Sequence, residues 1–258
     1  MADQGAKMLL ENKKCLITGV LTDSSIAFGV AKQAREHGAT VVLSSFGRAM
    51  SLTQRCARKI SDDIEVIELD VTNENDLAAL PDKLNGSVDA VLHAIAFAPE
   101  SCLGGDFLEA PFVDVSTAFQ ISAYSYAALA RAVAPLMKDG GSIVGLDFDA
   151  QVAWPSYDWM GVCKAALESV NRYVARELGD QDIRSNLVAA GPLRTIAAKS
   201  IPGFTKFEEI WNDRAPIGWD LTDTLPVADT CVALFSDLMR STTGEIIHVD
   251  GGFHAISV

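Results

Sequence analysis

The chain is poor in several features at once, and each absence excludes something. It has no apolar run long enough to cross a bilayer, which takes about 20 residues. Its opening, MADQGAKMLLENKK, has no apolar core of the kind a secretory signal carries, so the expected location is the cytoplasm. Its five cysteines, Cys15, Cys56, Cys102, Cys163 and Cys231, are scattered, odd in number and without a Cys-x-x-Cys pair. Free thiols in a reducing compartment are expected rather than a disulfide framework. Basic residues are in the minority, 21 against 34 acidic ones, for a net charge of -13. That argues against nucleic acid or an anionic membrane as partner. A small anionic cofactor is still compatible with it, because backbone N–H groups can hold phosphate inside an acidic protein. No repeat, low-complexity tract or linker is visible, and no metal site is expected.

What is present is a large apolar fraction, 49% of 258 residues, enough for a sizeable core. It falls into short runs. KCLITGV (14–20), TVVLSSF (40–46), IEVIELDV (64–71), VDAVLHAIAF (88–97), GSIVGLDF (141–148), IRSNLVAAGP (183–192) and GEIIHVDGG (244–252) each suit a buried strand. Helical patterns lie between them, over 26–39, the SLTQRCARKIS stretch, a Pro-interrupted DLAALPDKLNGS, 114–137, 157–178 and 226–239. Strands apolar on both faces, alternating with helices, predict a parallel sheet covered on both sides. The expectation is one doubly wound α/β Rossmann domain over 1–258 with a seven-stranded parallel sheet. Residues 194–222 break the rhythm. They hold Pro202, Gly203, Phe204, Phe207 and Trp211, and look like an amphipathic lid over a site.

The first strand runs into TGVLTDSSIAFGVA. A common dinucleotide loop in one-domain reductases has glycine at the first, fifth and seventh positions. Here these are Gly19, Asp23 and Ser25, so only the first matches. The turn can still work. Ser24 or Ser25 can cap the next helix, whose free N–H groups can hold a pyrophosphate. An ordinary strand-to-helix turn with a serine cap explains the same residues. After the second strand, SSFGR lacks the acid that often binds the adenosine ribose. Phe46 can pack on adenine, and Arg48 is either a 2′-phosphate contact or a solvated surface residue. Asp70 and Val71, at the end of the third strand, can meet the adenine ring. Asp70 serves equally well as a cap for the next helix.

A further segment, SYDWMGVCKAALESVNRYVARE, places Tyr157 and Lys164 seven residues apart directly after the fifth strand. Seven residues are close to two helical turns, about 7.2 residues, so the two share a side. A phenol with pKa near 10 is a poor acid or base at neutral pH unless a cation favours its ionised form. Lysine can supply that cation, and its ammonium can also bind a ribose. Pairs at this spacing also arise by chance, and it is the position after the fifth strand that gives this one weight.

Taken together, TGVLTDSSIAF, LDVTNE, HAIAFAP, ISAYSYAALARA, GGSIVGLDFD, YDWMGVCK, GPLRT, RAPIGW and TGEIIHVDGGF span nearly the whole chain. In this order they resemble the short-chain dehydrogenase/reductase superfamily. Within it they resemble the divergent enoyl-acyl-carrier-protein reductases, which use Tyr-x6-Lys where carbonyl reductases use Tyr-x3-Lys. The likeness is strongest to the actinobacterial, mycolate-pathway type. It implies NADH, with NADPH less expected, and a trans-2-enoyl thioester on acyl carrier protein or coenzyme A. Tyr157 would bond the thioester oxygen and stabilise an enolate, Lys164 would hold the nicotinamide ribose, and Phe148 would line the reacting end of the acyl chain. Phe97 and Met160 would join the substrate side. Gly19, Ser25, Ile26, Phe46, Asp70, Val71, Ala94, Ile95, Ala96, Ile121, Leu193 and Thr195 would contact the dinucleotide. Phe148 reads equally as core, and Thr195 as the cap of a following helix.

Several departures carry expectations. Carbonyl-reducing relatives place a serine near the end of the fifth strand, and VGLDFD has none. Ala94 and Ala96 stand where close relatives tend to have serine and glycine, which removes a hydroxyl beside the cofactor. The segment Thr195 to Arg214 is shorter than in the mycolate type and implies a preference for short or medium acyl chains. The resemblance also implies a homotetramer paired through the helices at 114–137 and 157–178, whose apolar residues read equally as core. A carbonyl-reducing enzyme and a non-catalytic dinucleotide sensor are the alternative readings.

Overall fold

The structure is a computed structural model that describes residues 8–199, 201–202 and 204–256. The first seven residues of the opening segment and Gly203 of the 194–222 segment lie outside the described residues. The element order is β1 (Lys14–Thr18), α1 (Ile26–Glu36), β2 (Thr40–Ser45), α2 (Met50–Ile60), β3 (Glu65–Glu68), α3 (Glu74–Ala78), α4 (Leu80–Lys83) and β4 (Ala90–His93). It continues with α5 (Phe112–Phe119), α6 (Ser125–Val133), β5 (Gly141–Asp147), α7 (Asp158–Leu178), β6 (Ile183–Ala190), α8 (Ile196–Lys199), α9 (Phe204–Arg214), α10 (Leu225–Phe235) and β7 (Ile246–Val249).

The strands form one seven-stranded sheet in the order β3-β2-β1-β4-β5-β6-β7, parallel at every pairing. The missing alternation in the strand sequences has a direct cause. On β1, Cys15 and Ile17 join a core with α1, α2 and α10, whereas Leu16 joins a second core with α6 and α7. Val41 and Leu43 of β2 separate from Val42 in the same way. A strand buried on both faces has no solvent side to mark with polar residues.

The strands end earlier than their apolar runs suggest. The strands stop at Thr18, Glu68 and His93, while Val20 and Val71 stay buried beyond them. The chain leaves the sheet there without leaving the core. The helix expected over 114–137 is interrupted: Gln120–Tyr124 takes a wider π turn between α5 and α6. Such turns are concentrated at functional sites. The Pro-interrupted helix divides into α3 and α4, with Pro81 in the first turn of α4, where its missing N–H costs nothing.

Candidate active site

The strand order reverses between β1 and β4, so the loops leaving these two strands part and open a crevice at the carboxyl edge of the sheet. Gly19, just past β1, has φ +81°. A Cβ there would lie 2.1 Å from the Ala94 carbonyl oxygen. Glycine is required on both counts, for the left-handed backbone and for the close approach of the β1 and β4 exits. Thr18 ties the same point together: its Oγ1 donates to the Leu92 carbonyl at 2.9 Å and accepts from Ala94 N–H at 3.0 Å.

Ser25, of the two serines considered, is the cap of α1, accepting from the Phe28 N–H at 3.2 Å. The N–H groups that open α1 are left for a ligand, as at any helix start. Phe46, past β2, is half exposed. Asp70 does not cap α3, a place taken by Asn73; its carboxylate instead accepts from the Thr72 N–H and hydroxyl at 2.9 and 2.7 Å. Val71 and Leu193 are buried in the two cores, which leaves mainly their backbone for a ligand. Thr195 Oγ1 accepts from the Ala198 N–H at 3.1 Å and so caps α8.

The loop past β4 is held from the π turn. Ser122 donates to the Phe97 carbonyl and accepts from the Phe97 N–H, at 2.8 and 2.9 Å. This clamp brings Ala94, Ile95, Ala96 and half-exposed Phe97 alongside the turn that carries Ile121. Ser122, the first serine of ISAYSYAALARA, gave no sign of it, because a two-way clamp is visible only once the partner loop is placed. His93, at the end of β4, is fully buried, bonds Ser125 at 2.8 Å and is held neutral by that burial, its pKa pushed down to about 3.

Tyr157 precedes the first residue of α7, and both its neighbours have left-handed backbone, Ser156 at φ 62° and Asp158 at φ 43°. Strain of this kind persists only when its surroundings hold it. Here the Asp158 carboxylate accepts from the Gly105 N–H at 2.6 Å, and the Ser156 carbonyl from the Gly104 N–H at 3.1 Å. The turn presents the Tyr157 ring edge-on to Phe148, centroids 5.2 Å apart, over Met160, Cys102, Ala118 and Cys163. Phe148 also meets Trp154, Trp211 and Phe207 at 5.1, 5.9 and 6.0 Å. It therefore joins the tyrosine to the aromatic face of the 194–222 segment. Among the described residues the Tyr157 hydroxyl bonds no protein group.

Lys164 lies in the buried stripe of α7, with Met160, Leu167, Asn171 and Val174. Its ammonium donates to the Leu146 carbonyl at 2.8 Å and stands 3.9 Å from Asp147. This changes the electrostatic expectation. Burial, then Asp147, then Cys163 raise the Tyr157 pKa above its ordinary value, and the lysine does not bring it down. Lys164 is on the expected side, but its ammonium bends back to β5. The phenol keeps its proton and serves as a hydrogen-bond donor.

A dinucleotide-type crevice, a glycine at its switch point and a buried tyrosine with a buried lysine two turns further along α7 make this a short-chain reductase. The model of the enoyl-(acyl carrier protein) reductase family matches residues 19–254, and the chain belongs to that family. It is 49% identical to the enoyl-(acyl-carrier-protein) reductase (NADH) of Mycolicibacterium smegmatis, covering 95% of this chain and 97% of the relative. It is 48% identical to the protein of the same name from Mycobacterium avium, again over 95% and 97%. The enoyl-(acyl-carrier-protein) reductase (NADH) FabI of Bacillus cereus is 36% identical over 96% of this chain and 99% of that one.

Proposed function

We propose that this protein reduces the trans-2 double bond of enoyl thioesters carried on acyl carrier protein, with hydride from NADH, in fatty acid biosynthesis. The observation that carries the reading is the buried, protein-unbonded phenol of Tyr157 against Phe148 at the carboxyl edge of the sheet, in a chain whose relatives bear that name. The residues fit the cofactor. The cradle at Gly19 admits no side chain, the start of α1 offers free N–H groups, and Lys164 offers a buried cation. Gly19, Ser25, Ile26, Ala94, Ile95, Ala96, Ile121 and Thr195 would hold the dinucleotide, with Phe46, Asp70 and Val71 toward its adenine and Lys164 at the nicotinamide ribose. When bound, NADH supplies the hydride.

Tyr157 donates to the thioester carbonyl oxygen. As the β-carbon accepts hydride, negative charge moves onto that oxygen and the hydrogen bond strengthens, which lowers the barrier in the manner of an oxyanion hole. A phenol of raised pKa suits this role, because it stays protonated while the charge develops. Phe148, Trp154, Phe207 and Trp211 exclude water from the reacting end of the acyl chain. Carbonyl reduction fits less well. The residue after β5 is Phe148, and the one serine of that strand, Ser142, is buried and donates to the Leu234 carbonyl.

In this reading the 194–222 segment is the lid of a single reductase domain, and the protein acts in the cytoplasm. No helix of the described residues is long and apolar enough to cross a membrane. A homotetramer is supported by apolar side chains left exposed on α5, the π turn and α7: Phe112, Phe119, Tyr124, Val162 and Tyr173.

The test is cofactor oxidation with a trans-2-enoyl thioester, run with NADH and NADPH, with acyl carrier protein and coenzyme A as carriers, and with a β-ketoacyl thioester as control. Oxidation of NADH with the enoyl substrate alone is the expected result, and oxidation only with the ketoacyl substrate would overturn it. Over a series of acyl lengths, kcat/KM should level off before about C16, since each further CH₂ adds about 0.8 kcal/mol only where the lid can bury it. A continued rise through C16 would refute the preference for short and medium chains. Gly19→Ala should weaken NADH binding sharply and lower the melting temperature. The left-handed backbone alone costs about 1–2 kcal/mol with a side chain, and the methyl group collides with the Ala94 carbonyl. Unchanged NADH affinity would remove Gly19 from the cofactor site.

A further inference from the structure

Asp147, the last residue of β5, has a side chain with no solvent exposure. Among the described residues neither of its carboxylate oxygens has a side-chain hydrogen-bond partner, and only the backbone N–H of the next residue, Phe148, leans on the carboxylate and favours its charged form. Buried carboxylates are normally well bonded, and one held by so little calls for a functional or electrostatic account. Among the described residues the cation beside it is Lys164, at 3.9 Å. That is too long for a hydrogen bond and short enough for strong attraction in a dry site.

We propose that Asp147 is a positioning residue: its buried carboxylate is the counter-ion that keeps the Lys164 ammonium charged and directed at the cofactor ribose. The inference rests on the reading of Lys164 as the ribose-binding residue. The geometry accounts for the three ammonium protons: one goes to the Leu146 carbonyl, one faces Asp147, and one is left for a ligand. Among the described residues the charges around the pair offer no substitute. Glu168 and Asp149 act on Asp147 and push its carboxyl toward the neutral form, and Cys163 of α7 and Tyr157 are the other titratable neighbours. On β4, His93 is held neutral by burial and feels the lysine as a repulsive charge. Burial lowers the pKa of Lys164 and Asp147 counters it, while burial pushes Asp147 itself up to about 7. The support of Asp147 for the lysine should therefore grow as pH rises through neutrality.

The experiment measures NADH dissociation constants by tryptophan fluorescence from about pH 6 to pH 9 for the wild type, Asp147→Asn, Lys164→Met and the double variant Asp147→Asn/Lys164→Arg. The amide keeps the shape and removes the charge. Asp147→Asn should bind like wild type near pH 6 and about tenfold more weakly near pH 9, because the amide cannot take up the negative charge that the carboxylate gains as pH rises through about 7. The arginine variant keeps its charge without a counter-ion, so its affinity should not vary with pH. A merely structural Asp147 would give a loss independent of pH, or none, and either would overturn the proposal. If Lys164→Met binds NADH like wild type, the ribose reading itself fails. If that variant loses binding while Asp147→Asn matches wild type at every pH, the ribose reading stands and the counter-ion is refuted. Should Asp147→Asn not fold, Asp147→Ser is measured over the same range and judged by the same criteria.

Discussion

Replacing Tyr157 by phenylalanine should cost about 10²–10³ in kcat, the range found when one oxyanion-hole donor is removed, and leave NADH affinity within about twofold. The reason is local. The ring keeps its edge contact with Phe148 and its place above Met160 and Cys163, and the lost hydroxyl bonds no protein group among the described residues. The folded protein therefore gives up no internal hydrogen bond, and its melting temperature should hold or rise slightly. In the proposed role, what is lost is a donor that acts as charge builds on the thioester oxygen, so kcat and kcat/KM should fall together. The wild type should also show no alkaline fall in kcat from this residue up to about pH 9, because burial and the nearby Asp147 raise its pKa rather than lower it. Steady-state kinetics with an enoyl thioester and separate NADH titrations decide the matter. Turnover retained by Tyr157→Phe would move the oxyanion role to another group, and turnover absent from the wild type with NADH binding intact would favour a sensor.

The sheet was legible because its strands are apolar on both faces and its helices repeat near 3.6 residues; only parallel layers bury both patterns. The ends of the strands were hidden, since Val20 and Val71 remain buried after the hydrogen-bonded ladder has stopped. Hydrophobicity reports burial and carries no mark for where pairing ends. The π turn was hidden for a similar reason: Gln120–Tyr124 continues the helical pattern, and the loop past β4 that Ser122 bonds is brought to it only by the fold.

The candidate site was legible in part. Tyr157 and Lys164 stood out by their place after the fifth strand, and Gly19 by the turn it opens. The direction of the Lys164 ammonium could not be read, because spacing fixes the side of a helix and not the carbonyl that a long chain finds. Asp147 was read only within DFD, as one of three residues matching a family. An acid at a strand end looks like any loop acid until its exposure is known. The strain on either side of Tyr157 was equally silent, as Ser156 and Asp158 are ordinary residues for a turn.

The largest effect on stability is expected from Trp211→Ala. Trp211 is 2% exposed. Its ring stacks on Phe253 at 3.7 Å and 10°, and its Nε1 donates to the Asp250 carbonyl at 3.0 Å. Gly191 leaves the space it fills, since a Cβ there would lie 2.9 Å from that same nitrogen. Truncating a buried tryptophan costs about 3–5 kcal/mol, against a total stability of about 5–15 kcal/mol. At about 2–4 °C for each kcal/mol in a chain of this size, melting should fall by roughly 6–20 °C. Function should suffer selectively. Trp211 touches Phe148 and Trp154 at 5.9 and 5.4 Å, on the side of the crevice away from Gly19. KM for the enoyl thioester should rise while NADH binding at low temperature stays near wild type. Trp211→Phe, which keeps a ring against Phe253, should recover most of both losses. If Trp211→Ala melts with the wild type, the 194–222 segment is not packed on the body of the protein, and the proposed lid loses its anchor. If NADH affinity falls as far as substrate affinity, the aromatic wall serves both ligands and the division of the crevice into a cofactor side and an acyl side is wrong.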